Sequence, residues 1–145
     1  MITYIFLDID GVLRKKTDPK NCLNPDLVKH LFPAVNGLDS RLVISSTWRV
    51  AYSLKELKRF FPEPLQDAIV GITPVHPDLF IDYGRERECM AWLRANAETP
   101  SYYVALDDDA SLYKSFPLVE VDPSLGIQSD VFERIRSTRK ALAVG

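Results

Sequence analysis

The chain has 145 residues, enough for one well-packed core and too few for two, so a single domain over 1–145 is expected. Hydrophobic residues make up 46% and charged residues 26%, the balance of a folded globular domain, which excludes a disordered chain or a fibre. The net charge of −2 comes from 18 basic and 20 acidic residues spread along the chain, so no basic tract announces nucleic acid, although a local groove could still be positive.

No apolar run approaches the roughly 18 residues that a membrane-spanning helix needs, so no membrane partner is expected. The apolar N-terminus, Met1 to Leu7, runs straight into Asp8 and Asp10 with no basic leader and no small-residue cleavage site, and reads as a strand, not a signal peptide. Cys22 and Cys89 lack the paired spacing of a disulfide framework or a zinc site, which fits free thiols and a cytoplasmic location.

Taken in order, Thr3 to Leu7 is an apolar, β-branched and aromatic run ending in acids, as a buried strand feeding a site would. Asn24-Pro25 offers a cap and a first-turn proline for a short helix carrying Leu27, Val28 and Leu31 up to Pro33. Arg41 to Ser45 is a second buried strand, and Ser53-x-x-Glu56 is a capping box opening a helix that Pro62 and Pro64 stop. Ala68 to Ile72 is a third strand, Thr73 to Tyr83 a proline-punctuated loop, and Arg85 to about Asn96 a helix with Cys89, Trp92 and Leu93 on one face. Tyr102 to Leu106 is another strand ending in acids, Leu118 to Val121 a short last one, and Asp130-x-x-Glu133 caps a final helix carrying Val131, Ile135 and Leu142.

Strands alternating with helices predict an α/β fold: a Rossmann-like three-layer sandwich around a mostly parallel sheet. Ligands of such sheets bind beyond the carboxyl ends of the strands, and there the polar clusters fall. Asp8 and Asp10 follow the first strand, Ser45, Ser46 and Thr47 the second, and Asp107, Asp108 and Asp109 the strand from Tyr102.

Carboxylates gathered on one rim repel, and keeping them ionised demands a cation; hard oxygen ligands suit Mg2+. One carboxylate can attack phosphorus while another protonates the leaving oxygen and then takes a proton from water. Ser45 or Ser46 could hydrogen-bond phosphoryl oxygens, and Arg85 could neutralise the charge gathered there. Asp8 and Asp10 point to opposite faces if the backbone stays extended, whereas a turn at Gly11 could bring both to the rim.

Asp8-Ile9-Asp10-Gly11-Val12-Leu13 resembles the first motif of the haloacid dehalogenase (HAD) superfamily of phosphatases. Ser45 is similar to its second motif, Arg85 to its basic third, and Leu106-Asp107-Asp108 to its acidic fourth. The resemblance implies a nucleophile at Asp8, a general acid/base at Asp10 that also offers its backbone carbonyl to Mg2+, and a metal site completed by Asp107 or Asp108. Ser45-Ser46-Thr47-Trp48-Arg49, Gly84 to Glu88 leading to Trp92-Leu93, and Ala105 to Asp109 resemble a compact HAD family associated with RNA-repair multidomain proteins. Residues 11–44 and 46–84, which separate the motifs, are too few for a large cap domain, so the rim should be open to phosphate on a bulky carrier such as a polynucleotide end.

The expected activity is therefore Mg2+-dependent hydrolysis of a phosphomonoester through an aspartyl-phosphate. The expected site comprises catalytic Asp8 and Asp10, phosphate-binding Ser45, Ser46, Arg85 and Arg49, and metal-binding Asp8, Asp10, Asp107 and Asp108. Rival roles stay open: the 107 to 109 acids could be a solvated turn, Arg87 or Arg49 could fill the basic position, and Trp48 could pack or stack on a substrate ring. His30 and His76 have no companion at metal-ligand spacing and enter no mechanism. The alternative to an enzyme is a catalytically weak or receiver-like phosphate-binding module. Against a receiver, which needs its acceptor aspartate at the end of a middle strand, the second strand ends in Ser45-Ser46-Thr47 and the first already carries Asp-x-Asp.

Overall fold

Five parallel strands form the sheet because each is a short apolar run with helical or irregular chain long enough to cross back over it. The computed structural model describes residues 1–143. Strands β1 (Thr3–Leu7), β2 (Ser40–Ile44), β3 (Ile69–Ile72), β4 (Ser101–Asp107) and β5 (Leu118–Glu120) lie in the order β3-β2-β1-β4-β5. A sixth strand, β6 (Lys140–Leu142), pairs antiparallel with the start of β4.

Alternation along β1 divides the core. Ile5 and Leu7 face one side with Leu42, Ile44, Val104 and Leu106, under helices α1 (Pro25–Val28), α2 (Leu31–Gly37), α4 (Leu54–Lys58), α5 (Glu63–Gln66) and α7 (Val131–Thr138). Tyr4 and Phe6 face the other side with Val43, Tyr103 and Ala105, covered by Cys89, Trp92 and Leu93 of α6 (Gly84–Asn96). The aromatic cluster of Tyr4, Phe6, Trp92 and Phe116 packs edge-to-face, the arrangement ring quadrupoles favour. The layers are helix, sheet, helix, as the alternating pattern requires, and no cap domain interrupts the described residues.

Four local expectations need correction, one being the box at Asp130, whose side chain makes no capping hydrogen bond to the final helix. Pro33 does not end the first helix: the chain breaks after Val28 and restarts at Leu31, so Pro33 sits in the first turn of α2, where its missing N–H is not needed. The capping box does open α4, with Ser53 Oγ accepting from Glu56 N and Glu56 Oε1 accepting from Ser53 N. The helix closes at Lys58, and Pro64 opens α5 instead of stopping α4. Leu142 is not on the final helix but in β6, because α7 stops at Thr138 and Arg139 turns extended. Arg139 stacks its guanidinium 3.9 Å over the Tyr102 ring and donates to Thr3 Oγ1, which pins that exit.

Candidate active site

The strand register builds the site. Leu7 pairs with Ile44 on one side and Leu106 on the other, so the next residue of each strand, Asp8, Ser45 and Asp107, arrives at the same level. The ladder runs one rung further, with Asp8 N donating to Leu106 O (3.0 Å) and Ser45 N to Leu7 O (2.9 Å). A tight turn follows, in which Val12 and Leu13 both donate to Ile9 O and Gly11 N donates to Arg14 O. Ile9, Val12 and Leu13 are fully buried, so the turn is fixed by its apolar residues while Asp8 and Asp10 are left at the rim.

Asp8, Asp107 and Asp108 each present a carboxylate oxygen within 4.8 Å of the others. Asp107 is buried and held from both sides, Oδ1 accepting from Asp109 N (3.1 Å) and Oδ2 from the Tyr113 hydroxyl (2.8 Å). Asp8 Oδ1 accepts from Ile9 N at 2.9 Å. Gly11 has φ +81°, and a methyl group there would run into the carboxylate of Asp108, so glycine serves both the turn and the space beside Asp108.

Burial pushes the Asp8 carboxyl up to about 8, reinforced by the nearby charge of Asp107 and opposed by that of Arg85. Asp107 is also raised, first by burial, against the hydrogen bonds from Tyr113 and Asp109 and the charge of Arg85. Two partly or wholly buried carboxylates this close hold a proton at neutral pH when no cation is present. A divalent cation would replace that proton, and three hard oxygen donors fit such an ion. Asp8, Asp107 and Asp108 would hold it, and when bound it supplies positive charge that lets these acids ionise beside a phosphate.

Asp10 is not in the cluster. Its side chain is 54% exposed, with Oδ1 2.7 Å from Arg14 Nη1 and Oδ2 accepting from Trp48 Nε1 at 3.1 Å. The side chain thus stands apart from the three clustered acids, and the metal role expected of Asp10 is that of its backbone carbonyl. Its carboxylate faces a groove of about 390 Å³ lined by Arg14, Lys20, Asn21, Thr47, Trp48 and Tyr52.

The two serines differ. The Ser46 hydroxyl accepts from Trp48 N at the start of α3 (Trp48–Ala51), whereas the fully buried Ser45 Oγ has no partner. Arg85 is also left with a partnerless buried nitrogen, Nη1, while its Nε lies 3.6 Å from Glu88 Oε1. An unsatisfied hydroxyl and an unsatisfied guanidinium nitrogen are what a phosphoryl group would complete.

Arg49 does not fit the phosphate-binding role expected for it. It is buried, donating from Nε to Thr73 O and from Nη1 to Ser46 O and Ser45 O, and its Nη2 lies 2.8 Å from Glu88 Oε2. All three nitrogens are engaged, so Arg49 ties the ends of β2 and β3 to α6. Sequence reasoning missed Tyr113 and Arg14, and nothing local marks either, because Asp10 to Arg14 is a turn and not the helix on which a four-residue step would pair them.

A family model for the HAD domain in Swiss Army Knife RNA repair proteins matches residues 4–132. The chain belongs to that family. No curated protein and no solved structure is detectably similar to it. The matched span of this HAD domain contains every acid, serine and arginine of the site, and family membership supports hydrolase chemistry of the phosphatase kind. Among the described residues of the HAD domain, no helix is long and apolar enough to cross a membrane.

Proposed function

We propose that this HAD domain hydrolyses phosphate monoesters through a phosphoaspartate on Asp8, with Mg2+ held by Asp8, Asp107, Asp108 and the backbone carbonyl of Asp10. The observation that carries the reading is the meeting of Asp8, Asp107 and Asp108 at the ends of β1 and β4, beside the unpartnered Ser45 Oγ and Arg85 Nη1.

In the first half-reaction a carboxylate oxygen of Asp8 forms a bond to phosphorus, the bond from phosphorus to the leaving oxygen breaks, and Asp10 gives that oxygen a proton. Ser45 and Arg85 donate to the equatorial oxygens, whose charge is greatest in the transition state. In the second half-reaction Asp10 takes a proton from water as its oxygen bonds to phosphorus, and the bond to Asp8 breaks to release inorganic phosphate. The open rim suits a phosphate carried by a bulky molecule, and we propose the end of a nucleic acid strand as such a carrier in a cytoplasmic setting.

Asp8→Asn tests the reading. Phosphate release from para-nitrophenyl phosphate in Mg2+ is expected to vanish while the circular dichroism spectrum is unchanged; turnover surviving in this variant would overturn it. Screening phosphorylated sugars, nucleotides, phosphopeptides and 3′- or 5′-phosphorylated oligonucleotides identifies the carrier. A protein that takes up beryllium fluoride with Mg2+ yet turns over no substrate would instead be a phosphate-binding module.

A further inference from the structure

Asp10 is the one acid of the motif whose two carboxylate oxygens are each held by a different element. Arg14 Nη1 takes Oδ1, and Trp48 Nε1, from a helix 38 residues further on, takes Oδ2. Neither donor is free to move. Arg14 is anchored through Nε to Cys22 O (3.2 Å) and through Nη2 to Asp18 O (3.0 Å) and Pro19 O (3.1 Å). The Trp48 indole packs edge-on against Phe60 at 5.1 Å and tilted against Tyr52 at 5.8 Å. Tyr52 Oη in turn meets Asn21 Oδ1 at 3.3 Å, in the loop that anchors Arg14. The contacts form a closed circuit from Asp10 through Trp48, Tyr52 and Asn21 to the loop, and back through Arg14.

A side chain 54% exposed would ordinarily sample several rotamers, and a proton donor that must meet a leaving oxygen is effective only in one. Resting on the reading of Asp10 as the general acid/base, we propose that Arg14 and Trp48 are positioning residues for it. Arg14 locks Oδ1 into the protein, and Trp48 aims Oδ2 along the groove that they both line, so that Oδ2 is the oxygen that gives and takes the proton. One lone pair of Oδ2 accepts the indole N–H, and the other carries the proton to the departing alcohol and later receives one from water. Trp48 and Arg14 act through Asp10, holding its carboxylate, and take no part in the bonds made and broken at phosphorus.

The test is a double-mutant cycle with Trp48→Phe, which keeps an aromatic ring there and removes the N–H, and Asp10→Asn, each assayed on phenyl phosphate and para-nitrophenyl phosphate. Arg14→Met is run alongside. Phenol leaves less readily than nitrophenol and depends more on a proton donor. Trp48→Phe is expected to lower kcat roughly 10-fold on phenyl phosphate, and less on the activated ester, with KM unchanged. In the Asp10→Asn background the same change is expected to have no further effect, since residues acting as a unit are not additive. Equal losses on both esters, or a full loss persisting when Asp10→Asn is already present, would make Trp48 merely structural and overturn the proposal. Asp10→Asn turning over phenyl phosphate like the parent would instead overturn the role of Asp10, leaving the nucleophile test on Asp8 independent.

Discussion

The Tyr113 hydroxyl donates to Asp107 Oδ2 at 2.8 Å, and both groups are buried. A carboxylate meant for a metal is commonly oriented by such an outer partner, and losing it weakens affinity or activity by roughly 10–100-fold. Tyr113→Phe removes one hydrogen bond and little volume. We expect about 1 kcal/mol of lost stability. The Mg2+ concentration for half-maximal phosphate release is expected to rise roughly 10-fold. A magnesium titration of activity, with a thermal melt for comparison, reads both.

Arg49 and Glu88 make a salt bridge whose side chains are 4% and 9% exposed, so breaking it strands a charge in the core. Arg49→Met leaves Glu88 with only the more distant Arg85 and the N–H of His76, and should cost about 3–5 kcal/mol. Replacing both partners, as Arg49→Met with Glu88→Leu, should recover part of that loss. Urea denaturation of the two variants measures it. A single variant with full stability and only a raised KM would return Arg49 to the substrate.

The strands and their terminal acids were legible because buried parallel strands announce themselves as unbroken apolar runs, and Thr3–Leu7 is one from end to end. Likewise Asp8, Ser45 and Asp107 could be placed on one rim from strand ends alone, since register carries them there. What the sequence could not display was the partner of each side chain. An arginine two residues after Ser46-Thr47 reads the same whether it grips a phosphate or a buried glutamate, and Glu88 belongs to a helix far along the chain. Asp10 shows the same limit, since its outward turn depends on an indole arriving from α3. Leu142 misled because its step from Ile135 continues a helical face, while Arg139, held by Tyr102 and Thr3, ends the helix first.

Gly11 makes metal affinity separable from chemistry. Alanine there meets a positive φ, which costs about 1–2 kcal/mol, and its methyl group pushes Asp108 out of place. Gly11→Ala should therefore need roughly 10-fold more Mg2+ for half-maximal activity, by analogy with the loss of an orienting group at a metal. Saturating Mg2+ should restore part of kcat. Unchanged magnesium dependence would remove Asp108 from the ligand set.

The raised Asp8 carboxyl makes a prediction about the metal-free protein. Its folded value of about 8 lies above the ordinary 3.8, so between those pH values the native state binds more protons than the unfolded one. By linkage, stability is then fully present below about pH 4 and is lost as pH rises towards 8, at up to about 1.4 kcal/mol per pH unit. Thermal melts in a chelating buffer should fall across that window. Mg2+ should flatten the fall by binding the ionised acids that otherwise repel one another. Asp8→Asn should lessen the fall too, with no metal added, because one of the two raised carboxyls is gone and Asp107 loses its charged neighbour; the chelated variant at pH 8 then melts above the chelated parent although it releases no phosphate. A parent whose Tm is flat across the same window in chelator, or an Asp8→Asn variant no more stable than that parent at its upper end, would show that Asp8 is not held at that site against its own charge.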